Sequence, residues 1–280
     1  MSNLLKYGIA AIAIIIFGIS LFNASWIADA PEGDIALVGH GQWELPSNKE
    51  GCIIDPQLAY NEKYYNADIR SLRTIAAYDA DAISIDSTLE GGKLLIPQAA
   101  NTGCARDLKR PRSTIDKAIE SLSGLSIYLP IKNGEDDKAD ALIAAIKGKK
   151  YDNKIYAYGD DALSQKIAAT LPNVDALPVN AARQCVQDYK TSGWYGNVPA
   201  SCNQGKAIIL MSDSLTLWGW PNRLMQRFAE KEIEIIIAKD IQDGKLIGLN
   251  DVNSYGDIPD TFVGTIWIDD IENLGPALIR

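Results

Sequence analysis

Eight short runs rich in β-branched and aliphatic residues recur from residue 34 onward, and stretches with helical spacing of apolar residues separate them. Alternation of this kind is typical of repeated βα units around a parallel sheet. The predicted strands are Ile35–Val38, Ala82–Ile85, Ser126–Ile131, Lys154–Ala157, Ala176–Val179, Ala207–Met211, Ile233–Ile237 and Phe262–Ile268.

The stretches between these strands are predicted to be crossover helices. Apolar residues recur three and four positions apart from Ile69 to Ala76 and from Ile115 to Leu122, and the segments Lys138–Ile146 and Asn222–Ala229 continue the series. Eight strands with intervening helices predict an α/β fold, a TIM (β/α)8 barrel with its site at the carboxyl ends of the strands. A doubly wound open sheet is the alternative. Residues 31–280 fit one such domain.

The N-terminal segment differs from the rest of the chain. Residues 7–22 are an uninterrupted apolar run, and extension through residue 27 gives about the twenty residues that cross a bilayer as a helix. Residues 28–30 have the small-residue pattern of a signal cleavage site, but Pro31 follows directly and favours a retained anchor. Lys6 precedes the run and acidic residues follow it, which places the body outside the cytoplasm. We therefore expect a signal anchor or transmembrane helix over residues 1–30, in the inner membrane, with a periplasmic body.

The four cysteines agree with an extracytoplasmic location. They lack the close spacing of a zinc site, and an even number in such a protein indicates disulfides. Three pairings exist, and free buried cysteines are the alternative. We favour Cys52 with Cys104 and Cys185 with Cys202, the second of which closes one loop-rich segment.

The charge balance excludes one class of partner. The 27 Lys and Arg residues against 36 Asp and Glu give a net charge of -9, without a dense basic run. Nucleic acid is therefore not expected as a partner. Membrane attachment has to depend on the apolar segment, residues 7–27.

Several segments in order resemble the glycerophosphodiester phosphodiesterase family. Residues 66–98 resemble the motif region of this family in order and spacing. In the family that region contains a Glu-Asn-Thr helix start, a Gly-Ala-Asp, a Glu-Leu-Asp strand, a Thr-x-Asp-Gly hairpin and His-Asp. Residues 38–41, Val-Gly-His-Gly, stand where the family has His-Arg-Gly, and residues 113–132 resemble its next helix and strand. Later segments resemble an extracytoplasmic bacterial branch of the family, namely residues 185–202, 217–228 and 264–278.

The resemblance implies a phosphodiesterase site that has lost most of its parts. The family cleaves its substrate with a divalent metal held by carboxylates and with two histidines that move protons. His40 matches the first histidine, but Gln98 stands at the second. Asn66 and Ser84 replace two metal-binding glutamates, which leaves Asp86 as the matching metal ligand.

The retained residues predict a small ligand site on the functional face of the barrel. His40, Asp86 and Lys132 match family residues, and together with Gln98, which replaces the second family histidine, they are the expected ligand-binding residues. Lys132 can attract a phosphate and His40 can hydrogen-bond it. We expect a membrane-anchored phosphodiesterase-like protein with lost or altered catalysis, a pocket for phosphodiesters or phospholipid headgroups, and no cofactor.

Two alternatives remain open from the sequence. One is an active phosphoric diester hydrolase of lipid metabolism, with His40 catalytic and Ca²⁺ or Mg²⁺ held by Asp86 and loop carboxylates such as Glu44 or Asp55. The other is a structural subunit of a membrane complex.

Overall fold

The computed structural model describes residues 3–40, 80–96 and 113–269, together with residues 271 and 274. All eight predicted strands form, with ends shifted by up to two residues. The helix predicted around residues 69–76 lies outside the described residues. The strands are β1 (Ile35–His40), β2 (Ala82–Ser84), β3 (Thr88–Glu90), β4 (Lys93–Leu95), β5 (Ser126–Ile131), β6 (Ile155–Gly159), β7 (Val174–Pro178), β8 (Lys206–Leu210), β9 (Glu234–Ala238), β10 (Asp240–Gln242), β11 (Lys245–Ile247) and β12 (Gly264–Ile268).

Helices follow or precede most of these strands. The described residues form α1 (Asn3–Phe22), α2 (Ile115–Ser121), α3 (Asp136–Ile146), α4 (Asp161–Thr170), α5 (Val179–Ser192), α6 (Asn222–Ala229) and α7 (Val252–Gly256). Four short 3-10 helices are Ser25–Ile27, Gly193–Tyr195, Ala200–Cys202 and Met211–Thr216.

Eight of the strands form one sheet, in the order β7-β6-β5-β2-β1-β12-β9-β8. Among these eight, strands that follow one another in the chain are neighbours, except β7 and β8, which stand at the two ends of the order; the first strand, β1, lies beside the last, β12. This cyclic order is that of a TIM barrel, whereas a doubly wound sheet reverses its order at an internal strand. The predicted α/β fold with the strand order of a TIM barrel is confirmed. The strands β3–β4 and β10–β11 form two separate antiparallel hairpins.

Contacts divide the chain into two units. Unit 1 contains Met1–Ile35, Ala181–Ile237 and Asp257–Thr265, and unit 2 contains Ala36–Asn180, Ala238–Gly256 and Ile266–Arg280.

Unit 2 is built on parallel strands with a fixed register. Its pairing aligns His40 with Ser84, Ser84 with Tyr128, and Tyr128 with Tyr156 across four strands. Five of the six residues of β5 and all five of β6 are buried. Strands of a parallel sheet are covered on both faces, which explains why these runs are almost continuously apolar in the sequence.

Unit 1 holds the end of α1 by hydrogen bonds to a buried arginine. Arg227 is 8% exposed, and its Nη1 donates to the side-chain oxygen of Asn23 at 3.0 Å, the Tyr189 hydroxyl at 2.9 Å and the Gly193 carbonyl at 3.0 Å. The guanidinium also lies 4.9 Å from the centre of the Phe22 ring. A buried charge has to be hydrogen-bonded, and these neutral acceptors meet that need.

The first helix exposes its apolar side chains. Tyr7, Ile14 and Phe17 are 75%, 71% and 64% exposed, and Trp26, just beyond the helix, is 79% exposed. Among the helices of the described residues, none has both the length and the apolar character required to cross a membrane.

Cys185 and Cys202 form a disulfide with a Cα–Cα distance of 4.6 Å. This is the pairing predicted from the sequence. Both cysteines are fully buried, and the bridge ties α5 to the 3-10 helix Ala200–Cys202. The predicted partner bridge, Cys52 with Cys104, lies outside the described residues.

We expect the Cys185→Ala/Cys202→Ala variant to unfold more easily than the oxidised protein. The bridge closes a chain segment with a sequence separation of 17, and closing a loop of that length stabilises a fold by about 3 kcal/mol. Urea unfolding monitored by circular dichroism measures the difference. An unchanged unfolding midpoint would show that the bridge does not restrict the unfolded chain.

Candidate active site

The candidate site lies in unit 2, where several parallel strands end. His40 is the last residue of β1, Asp86 comes two residues after β2, Lys132 follows β5, and Asp269 follows β12. Because the carboxyl ends of the strands lie on one face of a TIM barrel, side chains at these positions lie near each other.

His40 lies between two carboxylates. Its Nδ1 is 3.2 Å from Oδ1 of Asp269, and its Nε2 is 3.6 Å from Oδ2 of Asp86. The first distance permits a hydrogen bond. The second is too long for a hydrogen bond and is an ion-pair contact. Within the described residues, the buried Nε2 atom has no hydrogen-bond partner. His40 therefore keeps one polar atom for a further contact.

The hairpin β10–β11 supplies a cation to the same carboxylate. Its turn consists of Asp243 and Gly244, both with positive φ, at 49° and 76°, as in a type I′ turn. Lys245, the first residue of β11, donates from Nζ to Oδ1 of Asp86. The side chains of Lys245 and Asp86 are only 21% and 17% exposed, so water screens this ion pair weakly.

The pKa values of the two partners shift in opposite directions. Burial lowers the pKa of His40, but the hydrogen bond to Asp269 and the contact with Asp86 outweigh burial and raise that pKa to about 9. Burial alone would raise the pKa of Asp86, whereas the imidazolium of His40 and the ammonium of Lys245 hold it well below its usual range. Along the contacts Asp269, His40, Asp86 and Lys245, acidic and basic side chains thus alternate.

The ion pair of Lys132 is longer and more exposed to water than that of Lys245. Its Nζ lies 3.5 Å from Oδ2 of Asp243, whose side chain is 83% exposed. The Lys132 backbone N–H donates to Glu135, which also accepts from the buried Lys138. The pKa of Lys138 is lowered, because burial outweighs its pairing with Glu135.

Aromatic side chains pack beside this polar cluster. Tyr128 and Tyr158 lie 5.0 Å and 5.1 Å from Trp267, measured between ring centres. Burial raises the pKa of Tyr158, whose hydroxyl lies 3.0 Å from Ser84 Oγ. Ser84, which stands where the resemblance implies a metal-binding glutamate, therefore forms part of a neutral, buried hydrogen-bond pair.

The chain is similar in structure to known phosphodiesterases. It matches the glycerophosphoryl diester phosphodiesterase domain of an uncharacterised protein from Mycobacterium tuberculosis with a TM-score of 0.58 and 9% identity, over 87% of this chain and 99% of that one. It matches a glycerophosphodiester phosphodiesterase from Parabacteroides distasonis with a TM-score of 0.51 and 12% identity, over 89% and 98%. The fold is that of the glycerophosphodiester phosphodiesterases. No protein-family model and no curated protein matches the chain.

The structure brings together part of the predicted site. His40 and Asp86 lie side by side, whereas the contact of Lys132 is with Asp243. The other predicted or alternative positions lie outside the described residues, namely Gln98, Asn66, Glu44 and Asp55.

Two site residues were missed in the sequence. Asp269 directly follows the last predicted strand, and the rule that selected His40 and Lys132 could have found it. Asp243-Gly244 between short apolar runs is a hairpin signal, so the position of Lys245 after a turn was also predictable. Its contact with Asp86 was not.

The described residues do not fit the divalent metal that the resemblance implies. Such an ion needs several oxygen ligands with free negative charge. Asp86 is the matching carboxylate, but Lys245 binds one of its oxygens and His40 faces the other. In the part of the chain that the structure describes, no group of three or more His, Cys, Asp or Glu side chains is placed to hold a metal.

We expect the one histidine of the chain to remain protonated at neutral pH. The pKa of His40 is higher in the folded state than in the unfolded chain, so the protonated ring stabilises the fold. This contribution is complete below pH about 6.5, the pKa of an ordinary histidine in the unfolded chain. It is lost as the pH rises through about 9, the pKa in the folded state. NMR titration of the single imidazole signal measures the midpoint directly. A midpoint near 6.5 would show that neither carboxylate acts on the ring, and Asp269→Asn is expected to lower the midpoint.

Proposed function

We propose that the protein binds a phosphodiester or a phospholipid headgroup at the strand ends around His40, and that the metal-dependent cleavage of the family has been lost. The proposal depends chiefly on one observation: a buried imidazole nitrogen, Nε2 of His40, has no hydrogen-bond partner among the described residues and lies 3.6 Å from Asp86, whose other carboxylate oxygen accepts from Lys245. The fold shared with glycerophosphodiester phosphodiesterases supports the ligand class.

Lys132 is the residue best placed to exchange its partner for a ligand. Its ion pair with Asp243 joins two side chains that are 38% and 83% exposed. Pairs exposed to this degree contribute about 0–1 kcal/mol. A phosphoryl oxygen can therefore replace the Asp243 carboxylate on Lys132 at little energetic cost, while the imidazolium of His40 donates to a second oxygen.

The protonation state of His40 argues against hydrolysis. A general base must accept a proton, and an imidazole with a pKa of about 9 already carries that proton at neutral pH. The chain has no second histidine to share the work. His40 is therefore suited to donate a hydrogen bond to a phosphate and not to activate water.

We expect the substitutions Lys132→Met and Asp243→Asn to change ligand affinity in opposite directions. Isothermal titration with glycerophosphocholine should show binding by the unsubstituted chain. Lys132→Met should weaken it about tenfold, a loss of about 1.4 kcal/mol, because the variant lacks a phosphate contact. Asp243→Asn should strengthen it, because Lys132 no longer has an internal partner. Both positions are partly or largely exposed, so neither change is expected to disturb folding.

Turnover assays decide between binding and catalysis. The protein is incubated with glycerophosphocholine and Ca²⁺ or Mg²⁺ and followed by ³¹P NMR, with His40→Ala as the matched control. We expect no metal-dependent release of glycerol phosphate. Metal-dependent turnover that His40→Ala abolishes would contradict the proposal and identify an active phosphoric diester hydrolase.

The proposal also includes attachment to a membrane through residues 7–27, with the body in the periplasm. The exposed apolar side chains of α1 support attachment, and the Cys185–Cys202 disulfide supports an oxidising compartment.

We expect the full chain to sediment with phospholipid vesicles and the double variant Ile14→Asp/Ile16→Asp to remain in the supernatant. Leu89→Asp, at an exposed apolar position of unit 2, is the control. Equal sedimentation of all three proteins would contradict attachment through α1.

A further inference from the structure

We infer that Lys245 serves as a built-in cation beside Asp86, so that the site takes phosphoryl ligands without a divalent ion. The inference deepens the proposed function and depends on it for the class of ligand. The exchange of a metal for a side-chain ammonium can be tested separately. It is carried by the contact of Lys245 Nζ with Oδ1 of Asp86, the carboxylate at the matching metal position.

The backbone of the hairpin fixes the position of this ammonium. Gln242 and Lys245 are register partners on either side of the turn, and Ile241 pairs with Leu246, which is fully buried. The turn also approaches β6, because a Cβ added at Gly159 would lie 3.4 Å from the carbonyl oxygen of Gly244. Lys245 is thus held on a short, paired strand and not on an open loop.

Asp86 is neutralised on both sides. Lys245 contacts one carboxylate oxygen, and Nε2 of His40 lies 3.6 Å from the other. A divalent ion that approached this carboxylate would meet two positive charges and would have to displace Lys245. The side chains of Lys245 and Asp86 are mostly shielded from water, so the repulsion between Lys245 and a divalent ion at Asp86 stays strong.

The same ammonium can bind an anion. A lysine ammonium has three donors, and the structure assigns one of them to Asp86. A phosphoryl oxygen bound to Lys245 would therefore gain the charge stabilisation that a metal ion otherwise supplies. Lys245 would act on the ligand directly, and Asp86 would position it.

The first experiment measures Ca²⁺ binding to the full chain by isothermal titration. The unsubstituted protein should show weak binding, whereas Lys245→Met should bind one Ca²⁺ at least about tenfold more tightly, since Asp86 has lost its partner. The double variant Lys245→Met/Asp86→Asn should lose this gain. Lys149→Met is the matched control, because Lys149 forms a similar pair with Asp116 on the surface. Lys245→Arg keeps the charge and should behave as the unsubstituted protein does.

The inference is wrong if the unsubstituted protein binds Ca²⁺ as tightly as Lys245→Met does, or if the gain persists after Asp86→Asn. Should Lys245→Met fail to fold, tight Ca²⁺ binding by the Lys245→Arg variant or by the unsubstituted chain would also overturn the inference.

The second experiment tests the ligand without metal. Glycerophosphocholine binding by the unsubstituted protein should be unchanged by EDTA, and Lys245→Met should lose at least about tenfold in affinity, with part of the loss restored by Ca²⁺. Loss of binding by the unsubstituted protein in EDTA would overturn the inference. An absence of phosphodiester binding under every condition would overturn the proposed function, while the Ca²⁺ titration would still test the role of Lys245.

Discussion

The negative charge of Asp86 is balanced from within the chain, and the rest of the site depends on this balance. Asp269, His40, Asp86 and Lys245 come from three strand ends and one hairpin, and their contacts alternate in sign. Partly buried charges are tolerated when they are paired, and loss of one member leaves its neighbour uncompensated. The four residues therefore act as a unit that sets the protonation of His40 and the availability of Asp86.

Much of the fold could be predicted from the sequence, because a parallel sheet covered on both faces leaves a simple pattern. Segments such as Ser126–Ile131 are almost continuously apolar, and the structure places β5 at those residues. Strand ends were less certain: the strand predicted at Lys154–Ala157 extends to Gly159. Apolar character describes the buried part of a strand, whereas its last hydrogen bond depends on the neighbouring strand.

The site was harder to predict because its pairs depend on tertiary structure. The resemblance selected His40 and Asp86 and explained which ligands had been replaced, but it gave no reason to consider Lys245, 159 residues away from Asp86 in the chain. Asp269 differs, because it directly follows β12 and the position of a side chain after a strand end is predictable from the sequence, although its contact with His40 is not. Ser84 shows the same limit: its loss of charge was visible in the sequence, but its bond to Tyr158 was not.

The hydrogen bonds of Arg227 have a mechanical consequence for the N-terminal helix. They join the Asn23 side chain, immediately after α1, to Tyr189 and Gly193 of unit 1, and the Phe22 ring packs on the same guanidinium. A helix on a flexible linker could swivel about that linker. Here, any swivel at residue 23 would pull a buried cation away from its acceptors, so the hydrogen bonds of Arg227 restrict the orientation of α1 within unit 1.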